Sequence, residues 1–244
     1  MQVQRDSVVF AYSGGSYFTS GGNTYLRDHG PHGFHMRFAA GGAAPTPQLD
    51  GSLYFDGGDY CYFDGDLTRF YAQMPTTALS WLYVASQVAP AVNTVAFSCM
   101  NVAGNRGIGF RYYNVSASGL IQMSMDSFNA AGVFGTAFNA TALRGVGSTN
   151  AIAYSYTKNV KAIMLWDHKN VGATLGDNSS PIAYDASAAP HVCGRPAGGA
   201  NPRIRLYYLA LLRGAVNSAD LAELSSMLMG AVSGTNPWPF CGRT

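Results

Sequence analysis

Apolar positions recur along this chain with a period of two over short runs, the pattern of strands whose alternate side chains face a core. SLYF (52–55) and DYCYF (59–63) alternate around the turn Asp56-Gly57-Gly58 and predict a hairpin. ALSWLYVAS (78–86) sets Leu79, Trp81, Tyr83 and Ala85 on one face. Its other set, Ser80, Leu82, Val84 and Ser86, is partly apolar too, which predicts a strand covered on both faces. SVVF (7–10), TVAFSCM (94–100), GIGFRYY (107–113), GLIQMSM (119–125), AIAYSYT (151–157), KAIMLW (161–166) and RIRLYYLALL (203–212) read as further strands. AGNRG, SASG, TKN and DHKN supply turn signals between them.

Helical spacing dominates only near the end. Leu221, Leu224, Met227 and Leu228 recur at i, i+3, i+4 intervals, and Ser218 is the predicted N-cap. Asp220 and Glu223 fall in the first turns, where the helix dipole favours acids. AGGAAPTPQ (40–48) suits either a linker or a loop within one domain. About ten short strands with one late helix predict an all-β fold, a two-sheet antiparallel β-sandwich of jelly-roll type. Residues 1–232 are expected to form one domain. The tail 233–244, with anchors Trp238 and Phe240, is expected to fold back on it.

Composition narrows the partners. Hydrophobic residues make up 48% of the 244 residues and charged ones only 11%, against about a quarter in typical domains. A net charge of +2 predicts no nucleic-acid or anionic-lipid partner. No apolar run reaches about 18 residues, and the first residues lack the apolar core of a secretion signal, so the expectation is synthesis in a host cytoplasm without a membrane span. The three lysines, Lys158, Lys161 and Lys169, read as one solvated hairpin. Cys61, Cys99, Cys193 and Cys241 show no CxxC spacing and read as buried free thiols. The sequons at Asn114, Asn139 and Asn178 read as chance matches.

A family pattern runs through these segments. GSLYFDGGDYCYF resembles the "G-ALxFDGxDDYVxV" opening of laminin-G-like, concanavalin A-like jelly rolls. ALSWLYVAS is similar to their "FTVEAWVxP" strand, and AIAYSYTKNVKAIMLWDHKNVGA (151–173) to their "HHVAVTYDGxxxxLYVNGxxVG" hairpin pair. RIRLYYLALLRGAVNSADLAELSSML (203–228) resembles the closing "IDEVRIYNRALSxxEIxxLY" strand and helix, and DHGPHGFHMRF (28–38) the loop "DSSGNGNHGTL". The chain departs from the pattern at Thr149-Asn150, where Trp-His is usual, and at Asn201-Pro202, where an acidic pair is usual. The resemblance implies a laminin-G-like sandwich in which Asp56 and Asp59 make turns. Such domains often hold one calcium ion on loop oxygens. Asp28, Asp56, Asp59, Asp177 and Asn178 are oxygens of that kind, though no cofactor is required.

Catalytic constellations are thin. Glycoside hydrolysis needs two carboxylates flanking the bond, and the chain has a single glutamate, Glu223, in the expected helix. Two aspartates could serve in principle, and Asp64 and Asp66 are spaced i,i+2, but in a stretch that reads as a loop. His29, His32 and His35 recur every third residue, but Pro31, Gly30 and Gly33 keep them off one helix face, so zinc is weakly supported. Sugar sites on sandwiches use exposed aromatics with Asn, Asp and Arg. Tyr112-Tyr113, Tyr154 with Tyr156, and Tyr207-Tyr208 are candidates, one tyrosine of each adjacent pair facing outward. The resemblance to laminin-G-like sandwiches, which recur in capsid decoration and fibre proteins, together with the low charge and the Gly-, Ala- and Asn-rich composition, implies as the primary expectation a non-enzymatic structural protein of phage-virion type, a capsid decoration or fibre component that assembles with other subunits. Its localisation would be the virion. A carbohydrate-binding module or adhesin with a glycan partner is the alternative, and a glycoside hydrolase the second alternative, which the missing glutamates disfavour.

Overall fold

The computed structural model describes residues 5–88, 94–115, 120–138, 147–158, 160–166, 169–170, 174–176, 180–194 and 201–241. Seventeen strands among them join into one antiparallel sheet. In chain order they are β1 (Val8–Ser20), β2 (Asn23–Asp28), β3 (Met36–Phe38), β4 (Thr46–Pro47), β5 (Leu53–Asp56), β6 (Cys61–Tyr62), β7 (Ala78–Gln87), β8 (Thr94–Ser98), β9 (Gly107–Val115), β10 (Leu120–Phe128), β11 (Phe134–Phe138), β12 (Thr149–Thr157), β13 (Lys161–Trp166), β14 (Lys169–Asn170), β15 (Thr174–Gly176), β16 (His191–Val192) and β17 (Arg203–Arg213). Two α-helices accompany them, α1 (Leu67–Ala72) and α2 (Ser218–Val232).

The sheet doubles over into two facing layers. The first runs β14–β13–β12–β7–β17, and the outer edge of β17 is shared by β5 and the first half of β1. The second runs β2–β3–β6–β16–β8–β9–β10–β11–β15. β1 belongs to both layers, because its last four residues pair with β2. It turns the corner at Gly14, where an added Cβ would meet the Leu206 carbonyl oxygen at 2.1 Å and the Leu53 nitrogen at 2.8 Å. Only glycine fits so close a backbone approach.

Aromatic rings fill the space between the layers. Trp81 of β7 stacks on Phe110 of β9 with centroids 3.8 Å apart and planes 7° from parallel. Phe10 of β1 meets Phe97 of β8 at 5.1 Å. Leu79, Trp81, Tyr83 and Ala85 all face this core. The opposite set of the same strand, Leu82 and Val84, joins Val8, Ala11, Ala151, Ala153, Tyr208, Ala210 and Leu212 in a second cluster on the outer face. Leu221, Leu224 and Leu228 of α2 cover that cluster. The tail completes the cover: Trp238 stacks on Tyr208 at 5.3 Å, and the Tyr208 hydroxyl donates to the Pro239 carbonyl at 2.6 Å. β7 is thus buried on both faces, as its two half-apolar sets predict.

The all-β, antiparallel, two-layer architecture with a C-terminal helix agrees with the sequence, but several local expectations need correction. β5 and β6 do not form a hairpin. β5 pairs with β17 in one layer, whereas β6 pairs with β3 and β16 in the other, so Asp56-Gly57-Gly58-Asp59 is a crossover between layers. β5 buries Leu53 and Phe55, and Cys61 of β6 and Phe63 just after it are buried in the same core, so alternation alone cannot tell a hairpin from a crossover. The N-cap of α2 is Asn217, whose side chain accepts from the Ala219 and Asp220 N–H groups at 3.0 and 2.9 Å. The stretch after Asp66 forms α1 rather than a loop. Lys158 is buried rather than solvated. The pairing of β12 with β13 agrees with the expected hairpin.

The corner at Gly14 gives a direct test. Gly14→Ala is expected to lower stability by about 3 kcal/mol or to prevent folding, since the clash is with backbone. Gly51→Ala is a control whose cost comes from its φ of +76° alone, because no atom lies within 4 Å of the point its Cβ would occupy. Urea midpoints of the two variants should differ in that order.

Candidate functional site

A break in the alternation of β17 builds a groove. Ile204 and Leu206 face the interlayer core, as do Leu209 and Leu211. Parity therefore changes between them. The pairing with β7 passes from Leu206–Ala85 to Tyr208–Val84, leaving Tyr207 as the extra residue of a β-bulge. Tyr208 is driven under α2, and Tyr207 is left half-buried at the rim of the same outer cluster. Both members of this pair therefore lie on the outer side, which strict alternation does not anticipate.

The Tyr207 hydroxyl donates to Asp50 Oδ2 at 3.1 Å. Asp50 sits in the turn between β4 and β5, where the Gly51 N–H donates to the Gln48 carbonyl at 3.2 Å. Asp50 Oδ1 accepts from the Ser52 N–H at 3.0 Å and the Ser52 hydroxyl at 2.6 Å. Arg205 Nη1 adds an ion pair to Oδ2 at 3.2 Å. Partial burial pushes the Asp50 pKa up, but Ser52, Tyr207 and Arg205 together hold it below the ordinary carboxylate range. With four donors on its two oxygens, Asp50 positions Tyr207 and has little capacity left for a ligand.

Around Tyr207 lies a groove of about 800 Å³, between the corner of β1, the Asp50 turn, the end of α2 and the tail. Ser13, Ser16, Thr149, Thr235 and Asn236 line it with hydroxyl and amide groups, and Trp238 contributes an indole. This size and mixture of polar and aromatic groups suits a small organic ligand held by hydrogen bonds and ring contact. Among the described residues the lining holds neither a second carboxylate nor a histidine.

A smaller hollow of about 280 Å³ lies at the other side of β1, walled by Phe18, Tyr25, Phe34 and Phe63. Asp64 and Asp66 both reach it, but each has a structural partner. Asp66 Oδ1 caps α1 by accepting from the Arg69 N–H at 3.0 Å, and Asp64 Oδ2 meets Arg37 at 3.5 Å.

The remaining expected site residues are dispersed. Buried Asp28 accepts N–H groups from Ala11 at 2.9 Å, Gly30 at 2.8 Å and Phe34 at 2.7 Å, tying the 29–34 loop to β1. Burial raises its pKa, and the three N–H donors pull partly back. Asp59 Oδ2 accepts the Asp56 N–H at 2.9 Å, and Asp56 Oδ1 the Gly58 N–H at 2.8 Å. These carboxylates each accept at least one backbone N–H group. Among the described residues no group of three or more His, Cys, Asp and Glu could hold a metal ion. Asp177, Asn178, Asn139 and His168 lie outside the described residues. Of the spaced histidines, His35 Nδ1 accepts the Asp28 N–H at 3.0 Å, so its neutral ring carries the proton on Nε2. His32 stacks on Phe34. Cys61, Cys99 and Cys193 are buried free thiols, and Cys241 is half-buried.

Neither a protein-family model nor a curated protein sequence matches the chain. Solved structures do match it. The receptor-binding domain of a botulinum neurotoxin C/D mosaic aligns with a TM-score of 0.63 at 8% identity, over 91% of this chain and 52% of that one. Botulinum neurotoxin type C, whose cell entry depends on interaction with two ganglioside molecules, aligns at 0.60 and 9% identity, over 92% and 52%. Trypanosoma rangeli sialidase aligns at 0.58 and 11% identity, over 93% and 34%. The chain thus spans about half the length of the toxin chains and a third of the sialidase. At these identities the likeness is one of fold, and it places this chain among β-sandwich domains.

Two outcomes follow from the Asp28 loop. Asp28→Ala leaves three backbone N–H groups without their acceptor and is expected to cost about 3 kcal/mol or more, while Asp56→Ala, at an exposed turn, should cost under about 1 kcal/mol in the same denaturant titration. The pKa values of His29, His32, His35 and His191 are all lowered, chiefly by burial. The unfolded chain therefore binds protons more tightly at these rings. Stability is fully present above the ordinary histidine pKa and is lost as pH falls through it toward the lower folded values. The thermal midpoint should drop between pH 7.5 and pH 5.5, and His35→Gln should flatten that slope.

Proposed function

We propose that this chain is a non-catalytic carbohydrate-binding domain whose ligand occupies the groove at Tyr207. The groove itself carries the reading. It offers hydroxyls, an amide and two aromatic side chains on a prebuilt frame, the chemistry that recognises a polyhydroxylated ring. The bulge, the hydrogen bonds to Asp50 and the stacking of Trp238 on Tyr208 brace its walls, and a braced site lowers the ordering cost of binding. Among the described residues the groove lining offers no general acid and base pair, which favours binding over hydrolysis. The sandwich neighbours lend support as well, since one of them engages gangliosides. The virion reading rests on the laminin-G-like resemblance and on composition and draws nothing from those neighbours, although a sugar-binding domain could itself be carried on a particle.

The test is a glycan array probed with labelled protein, followed by calorimetric titration of the hits. The wild-type chain is expected to bind a restricted set of glycans. Tyr207→Ala and Asn236→Ala should each weaken binding about tenfold, or about 1.4 kcal/mol, with folding retained in circular dichroism. A clean array with no binder, with and without calcium, would sink the reading.

A further inference from the structure

We infer that the Tyr207 groove selects uncharged saccharides and discriminates against sialylated, sulfated or uronate-containing ones. The inference rests on the carbohydrate-binding reading and narrows it by charge. Among the described residues no lysine, arginine or histidine lines the groove, and its one charged side chain is Asp50. The guanidinium of Arg205, which reaches the same turn, is already engaged with Asp50 Oδ2 at 3.2 Å. An acidic sugar would find no free cation to pair with among these groups, because the Arg205 charge is already matched by Asp50.

The end of α2 adds to the same field. Ala231 and Val232, at the C-terminal end of this 15-residue helix, line the groove, and the last turn carries no basic residue to offset the carbonyl end of the helix dipole. That end bears partial negative charge. Much of its carbonyl capacity is met locally: the Met229, Gly230 and Ala231 carbonyls accept the Ser233, Thr235 and Gly234 N–H groups at 3.1, 2.8 and 3.1 Å, and Gly230 also accepts the Thr235 hydroxyl at 2.9 Å. The dipole still opposes an anion and favours the hydrogen atoms of hydroxyl donors. Ser13, Ser16, Thr149 and Asn236 offer neutral partners for hydroxyls at the same surface. Neighbours of the same fold include a ganglioside-dependent toxin and a sialidase solved with sialic acid, so selectivity for neutral glycans would set this groove apart from those ligands.

The experiment uses the full chain against a panel of neutral glycans printed beside their sialylated, sulfated and uronate-bearing counterparts, with each hit titrated calorimetrically at low and at physiological salt. Neutral members are expected to bind at least about tenfold more tightly than their acidic counterparts, with the gap narrowing as salt screens the field. Equal or tighter binding of the acidic members overturns the charge inference and leaves the carbohydrate reading standing. No binding by any member removes both. Val232→Lys places a cation at an exposed position on the groove wall without touching the Asp50 network, and should shift the acidic-to-neutral affinity ratio upward by about tenfold. Asp50→Asn should shift it the same way by releasing Arg205. An unchanged ratio in both variants, with thermal midpoints near that of the parent, overturns the inference.

Discussion

The first layer of this sandwich is apolar on both faces, and much of the molecule follows from that constraint. Leu79, Trp81, Tyr83 and Ala85 bury themselves between the layers, while Leu82, Val84, Ala153, Ala210 and Leu212 present a second apolar surface outward. Left in water, that surface would forgo roughly 25 cal/mol for each square ångström of apolar area. The chain answers by laying α2 across it and returning the tail over Tyr208. The groove exists because this cover ends: its walls are the last turn of the helix, the tail, and the sheet edge they do not reach.

Regularity shapes the core, and departures from regularity shape the site. The bulge in β17 shifts parity by one residue, so Tyr208 anchors the tail while Tyr207 reaches the Asp50 turn. A bulge does this without disturbing the layers, because the inward residues on either side, Leu206 and Leu209, still meet the core. The absence of a side chain at Gly14 lets β1 pass against β17 and β5 at that same place, bringing Ser13 and Ser16 to the groove. Backbone irregularity and polar lining therefore coincide in space.

Among the described residues, several carboxylates hold backbone. Asp28 organises one loop, Asp56 and Asp59 a crossover, Asp66 a helix start and Asp50 a turn. In a chain with so few charges, these groups fix geometry.

The sequence by itself determined the layered β architecture. Alternating apolar residues from Leu79 to Ala85, turn signals between runs, and helical spacing from Leu221 to Leu228 each follow from local periodicity, and local periodicity is what a core demands of every strand. Double burial of β7 was equally legible, because both of its faces carry apolar residues. What strand pairs with what was not legible. β5 and β6 show the same alternation whether they form a hairpin or separate into two layers, and only the partners β17 and β3, far apart in sequence, decide it. The groove was hidden for the same reason. Asp50, Tyr207 and Trp238 come from three distant segments, and no spacing along the chain records that they meet. Tyr207-Tyr208 was visible as a candidate pair, but its two roles depend on a bulge set by the register with β7, which only the assembled tertiary structure fixes.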